Sequence, residues 1–187
     1  MSAQNNTYET TQIKIKVVTY PFGVDKWIVC NGKSESEIMQ EIYQLQSLVG
    51  DTDFAIHDYV SPLAISEEES ISTIVELCEL AEKYSEQTDV FEAACEHSTC
   101  ERDDSCRCAN VSVVKRLLEK FAGSYDLNSL RDFARDVNAN VILDIEKTIP
   151  KDMRQYYQFD ADGWITKNEN KLFETHIKDG KYYIFWC

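Results

Sequence analysis

The chain has 187 residues, with 33 acidic against 19 basic side chains and a formal net charge of -14. Its pI near 4.6 argues against direct binding to nucleic acid, and 43% hydrophobic and 11% aromatic content argues against disorder, which needs a lower apolar fraction. No apolar run approaches the ~20 residues of a membrane helix, and the polar segment 1–11 has no apolar core of a secretion signal, so a soluble cytoplasmic protein without membrane contact is expected.

Residues 1–11 read as a polar tail. From Ile13 the pattern alternates, with Ile13, Ile15 and Val17 against Lys14 and Lys16, which predicts a half-buried strand. A turn at Tyr20-Pro21-Phe22-Gly23 leads to a second strand over 27–30, and Asn31-Gly32 marks the next turn. Ser34 with Glu37 has the spacing of a capping box, and Ile38, Ile42, Leu45 and Val49 then give one apolar helical face, with Gly50 at its C-terminal stop. Residues 54–59 predict a third strand, closed by Ser61-Pro62.

Ser66 is expected to cap a second helix, with Glu67, Glu68 and Glu69 in its first turn. Ile71, Ile74, Val75, Cys78 and Ala81 line one side of that helix. Glu76, Glu79, Glu82 and Glu86 fall within about a third of its circumference at 3.6 residues per turn. Further on, 111–122 reads as a helix with Val114, Leu117, Leu118 and Phe121 inward and Gly123 as a stop. Leu127, Leu130, Ala134 and Val137 predict another helix. Residues 141–145 either continue it or form a strand, and a short helical stretch follows Pro150. Asp179-Gly180 between the apolar runs 172–177 and 182–186 predicts a terminal hairpin.

The expected fold class is α+β, as an elongated chain of three small units. Residues 1–63 form an antiparallel sheet with one helix, residues 64–125 an acidic helical middle with a Cys-rich loop, and residues 126–187 an α+β unit ending in the hairpin. The charge is not spread evenly over them. Residues 1–50 hold 4 basic and 5 acidic side chains, residues 51–110 hold 3 and 16, and residues 111–187 hold 12 of each. Solubility alone does not call for such concentration, and it points to a surface that acts through its field on a basic partner. Taken as two antiparallel helices, 51–110 would span ~45 Å and carry about one charge per ~3.5 Å, close to the ~3.4 Å of a single DNA strand. An ordinary solvated face explains the same run of glutamates at lower cost in assumption.

Cys95, Cys100, Cys106 and Cys108 fall close together with His97 among them, and tetrahedral zinc takes four such ligands. The spacing has no C-x2-C knuckle, so free thiols in an acidic loop compete with zinc, and no other cofactor is expected. Seven cysteines without an export signal do not suggest a disulfide framework. His57, beside Asp58 on a strand, suits a structural hydrogen bond. There is no H-E-x-x-H, G-x-S-x-G, Walker or G-x-G-x-x-G motif, and the chain is not expected to be an enzyme. The classes that remain are an acidic inhibitor of a basic site, a zinc-binding acidic interaction module, and a small hydrolase using paired carboxylates.

Two stretches resemble the antirestriction proteins of the ArdA family, which mobile genetic elements carry. The first is DFAIHDYVSPL over 53–63, with Phe54, Ala55, Ile56, His57, Asp58, Tyr59 and Pro62. The second is IPKDMRQYYQFDADGW over 149–164, with Pro150, Met153, Tyr156, Phe159, Ala161 and Gly163. The resemblance implies a non-enzymatic homodimer whose carboxylates imitate the phosphates of bent B-form DNA. It also implies occupancy of the DNA-binding groove of a type I restriction–modification enzyme. The carboxylates expected to meet the partner are Glu67, Glu68, Glu69, Glu76, Glu79, Glu82 and Glu86. Residues 111–187 depart from the family in being neutral overall, and Gly163-Trp164-Ile165 stands where the family tends to have an arginine followed by an aspartate. The cysteine-rich stretch reads as an insertion.

Overall fold

A computed structural model describes residues 11–21, 23–50, 53–100, 110–126, 128–154 and 157–187. Among the described residues it has seven α-helices and two three-stranded antiparallel sheets, an α+β chain. The chain divides into two compact units, 1–118 and 119–187.

In the first unit β1 (Lys14–Tyr20) lies between β2 (Asp25–Val29) and β3 (Asp53–Val60). The alternation in β1 has its physical cause here. Ile15 and Val17 are fully buried with Ile28 of β2 and Ile56 of β3, while Lys14 and Lys16 stand on the opposite face. Helix α1 (Glu35–Ser47) buries Ile38, Ile42 and Leu45 and covers the sheet's inner face. Both halves of its capping box form, since the Ser34 hydroxyl accepts from the Glu37 N–H and the Glu37 carboxylate accepts from the Ser34 N–H. Register shifts between Lys16 and Val17, where Asp58 and Ile56 are the partners, and this leaves His57 as the additional residue of a β-bulge.

Helix α2 (Ile71–Lys83) starts four residues later than the Ser66 cap predicts. Ser70 is the cap, its hydroxyl accepting from the Thr73 N–H at 3.1 Å. Glu67, Glu68 and Glu69 precede the helix and are not in its first turn. The reason is a competing tertiary bond: the Ile56 N–H of β3 donates to the Glu67 carbonyl at 3.1 Å, and the Glu69 N–H closes a turn onto Ser66. Ile71, Ile74, Leu77, Cys78 and Ala81 of α2 are buried, and Val75 is only half-buried. A short 3-10 turn (Ser85–Gln87) joins α2 to α3 (Thr88–Cys100), which buries Val90, Phe91, Ala94 and Cys95. Residues 51–110 are therefore not two long helices: 53–60 is strand, and α2 and α3 have 13 residues each, about 20 Å at 1.5 Å per residue. Helix α4 (Val111–Glu119) closes the unit on Val111, Val114, Leu117 and Leu118.

The expected helix over 111–122 is too long. Phe121 to Asp126 form strand β4, paired with the last strand and bulged between Phe121 and Gly123. In the second unit the order is β4-β6-β5, with β5 (Phe173–Lys178) and β6 (Lys181–Trp186) joined by Asp179-Gly180. Both turn residues have positive φ, 50° and 76°, the twist that lets a two-residue loop close a hairpin. Helices α5 (Leu130–Val137), α6 (Ala139–Thr148) and α7 (Ala161–Asn168) complete it, so 141–145 is helix and not strand. Leu130, Phe133, Phe173 and Ile184 form its core, with Trp164 and Tyr125 packed against them. Phe173 meets Phe133 and Trp186 edge-on and stacks on Trp164.

Candidate acidic interaction site

The seven expected carboxylates all belong to the first unit but occupy three kinds of backbone. Glu67, Glu68 and Glu69 lie in the β3–α2 connection. Glu76, Glu79 and Glu82 stand exposed on α2, opposite its buried face, where spacing of three residues puts them in one row. Glu86 is exposed on the 3-10 turn, beyond the end of the helix, so it does not continue that row. Two surface depressions fix the course of α2. One is lined by Ile56, His57, Tyr59, Ser66 and Glu67, and the other by Gln12, Val29, Asn31, Gly32 and Glu82. The segment thus starts beside β3, and its last turn lies beside the end of β2.

Several carboxylates outside this face are paired with cations. Lys26 and Lys33 both reach Glu41, at 2.6 and 2.5 Å, and hold its carboxyl below the usual glutamate range. Lys16 pairs with Asp25 at 2.7 Å. In the second unit Arg131 grips Asp162 through two nitrogens at 2.8 and 2.9 Å and holds that carboxyl below its usual range. Arg135 pairs with Asp132, and Lys147 with Asp144. Among the described residues, no cation pairs with Glu67, Glu68, Glu76, Glu79, Glu82 or Glu86. Lys83 on the same helix turns to the Tyr84 ring, 5.4 Å from its centroid. Water and mobile counterions must therefore compensate this row, and a fixed basic surface would release them.

His57, Asp58 and Tyr59 are exposed on β3, and the Asp58 carboxylate accepts from the Tyr59 N–H at 2.8 Å. The bulge brings His57 and Tyr59 to the depression that Glu67 lines. Pro150 follows α6 exposed, its carbonyl accepting from Met153 at 2.9 Å, and Phe159 is half-buried beside α6. Tyr156 lies outside the described residues. The two motifs belong to different units.

Of the metal candidates, Cys95 is fully buried on the inward side of α3, Cys100 ends that helix, and Cys106 and Cys108 lie outside the described residues. Among the described residues, no group of three or more His, Cys, Asp or Glu side chains is gathered to hold a metal ion. No helix among them is long and apolar enough to cross a membrane.

Helix α7, which sequence reasoning misses, organises the end of the second motif. Asp160 caps it by accepting from the Gly163 N–H at 2.9 Å, and a Cβ at position 163 would collide with that same carboxylate. The signal was Asp160 three residues before Gly163, obscured because glycine is a poor helix former.

Comparison with curated proteins gives no match. The family model of the antirestriction protein (ArdA) matches residues 22–177, a span that holds both motifs and all seven carboxylates and reaches from β2 to β5. On that match the chain belongs to the ArdA family of antirestriction proteins.

Proposed function

We propose that this antirestriction protein inhibits a type I restriction–modification enzyme by presenting carboxylates where the enzyme's groove expects DNA phosphates. The observation that carries the reading is the row Glu76, Glu79 and Glu82, exposed on a well-packed helix and without a cation partner among the described residues. Successive members rise about 4.5 Å along the axis, wider than the ~3.4 Å per charge of one DNA strand but of the same order. A buried face of six residues holds the helix in place. Binding such a helix therefore needs little ordering of the carboxylates, and counterions leave both partners. Inhibition needs no reaction on this reading, only occupancy in the cytoplasm, where the enzyme meets incoming DNA.

A homodimer is part of the proposal, and helix α6 supports it. None of its residues is buried, and Val141, Leu143 and Ile145 are 58%, 52% and 40% exposed. A helix with that apolar surface is normally covered, and a second copy would cover it.

The test is competition. A type I enzyme is held with labelled duplex DNA while the protein is titrated in at low and at physiological salt. Displacement that weakens as salt rises supports mimicry. Absence of displacement at both salts would overturn it and leave the family's antirestriction role to another mechanism.

A further inference from the structure

The chain contains one Asn-Gly pair, Asn31-Gly32, in the turn between β2 and α1. Such a pair is chemically weak in a flexible chain, because glycine has no Cβ to obstruct attack of its amide nitrogen on the asparagine side chain. Here the side chain is engaged at both ends. Its Oδ1 accepts from the Ile13 N–H at 2.6 Å, and its Nδ2 donates to the Thr11 carbonyl at 3.1 Å. Next to it the Cys30 N–H donates to the Ile13 carbonyl at 3.0 Å. Asn31 thus adds a side-chain rung to the β1–β2 ladder beyond its last backbone pair, Lys14 with Val29.

The structure assigns Asn31 as a latched deamidation site: residues 11–13 hold its amide, and reaction with Gly32 both requires the latch to open and leaves it incomplete. In the step the Gly32 nitrogen bonds to Asn31 Cγ and the Cγ–Nδ2 bond breaks. The Gly32 amide proton goes to the leaving nitrogen, which departs as ammonia. Water then opens the five-membered imide at either carbonyl, giving aspartate or isoaspartate. Two partners fixed in the amide plane oppose the tetrahedral Cγ that this path needs, so opening of residues 11–13 gates the rate.

The product restores at most the Ile13 half of the latch. A carboxylate has no proton for the Thr11 carbonyl and sets oxygen against oxygen there. Isoaspartate also lengthens the backbone inside a turn closed by Lys33 N–H to the Cys30 carbonyl at 3.1 Å. The new charge falls in the depression that Glu82 shares. One chemical event therefore loosens the start of β1 and adds a carboxylate beside the acidic row.

The test uses the full chain, incubated in mildly alkaline buffer with and without urea. The peptide containing position 31 is followed by mass spectrometry for a gain of one mass unit and for isoaspartate. Two hydrogen bonds of ordinary net strength predict a native rate roughly 10- to 100-fold below the rate in urea. Amide exchange at Ile13 is expected to speed up in the deamidated fraction and in N31D. Equal rates with and without urea would overturn the latch, and so would Ile13 protection that is unchanged in the deamidated fraction. Neither readout involves a restriction enzyme, so the result stands apart from the proposed mimicry.

Discussion

Replacing Glu76, Glu79 and Glu82 together by glutamine should have two effects of opposite sign. All three side chains are exposed on α2, and no cation among the described residues pairs with them. Neighbours stand three residues apart, where like charges cost roughly 0.2–0.5 kcal/mol per pair. Removing two such pairs should stabilise the first unit by about 0.4–1 kcal/mol, a rise of a few degrees in melting temperature. Binding should move the other way. Each phosphate contact contributes about 0.9 to the slope of log K against log salt, so three carboxylates acting as phosphates predict a slope shallower by about 2–3. The assay is the competition titration repeated over a salt series, beside thermal melts of both proteins. A triple variant that melts higher yet inhibits with unchanged strength and slope would refute the assignment of this row as the contact surface. A variant that melts lower would refute the claim that the row is unpaired.

Ser70→Ala removes the cap of α2 and is expected to cost about 1 kcal/mol in denaturant unfolding, whereas Ser66→Ala at the expected but unused cap should cost far less. Phe173→Ala opens the aromatic core of the second unit and should cost roughly 3–5 kcal/mol, read by loss of near-UV circular dichroism. Glu41 is held below the usual glutamate range by Lys26 and Lys33, so its contribution is complete above that range and is lost as pH falls through its lowered folded value. Acid unfolding of Glu41→Gln should accordingly be less steep than that of the parent. Burial pushes the Cys30 and Cys78 thiols up to about 11 and about 12. Both should resist alkylation at neutral pH until the chain is unfolded, while exposed Cys187 reacts at once.

Local signals were legible where local chemistry decides. The Ser34–Glu37 box, the alternation at Ile13, Ile15 and Val17, and the Asp179-Gly180 turn each specify their own geometry, and each is found. The signals misled where a distant partner decides. Ser66 and Glu69 have capping-box spacing, as Ser34 and Glu37 do, yet β3 claims the Glu67 carbonyl and moves the cap to Ser70. Phe121 continues the helical spacing of Val114 and Leu118, but pairing with β6 makes it a strand residue. The acidic residues of the site could be read as a group from charge alone. Their separation into a connection, a helix row and a 3-10 turn could not, because the end of α2 at Lys83 depends on packing that spacing does not encode. Asn31 is marked by sequence only as a turn, and its clasp on residues 11–13 is a tertiary fact.

The bulge at His57 and the bond from Ile56 to Glu67 bear on what happens at high concentration. β3 is an outer strand, and a regular outer strand is a template on which another copy can stack. On the proposed mechanism, inhibition by occupancy must match its target molecule for molecule, which requires accumulation without clumping. The extra residue breaks the repeat that a neighbouring chain would need, and the connection carrying three glutamates already takes one of the hydrogen bonds on offer. The same few residues that hold negative charge in place thus also keep crowded copies from adding strand to strand.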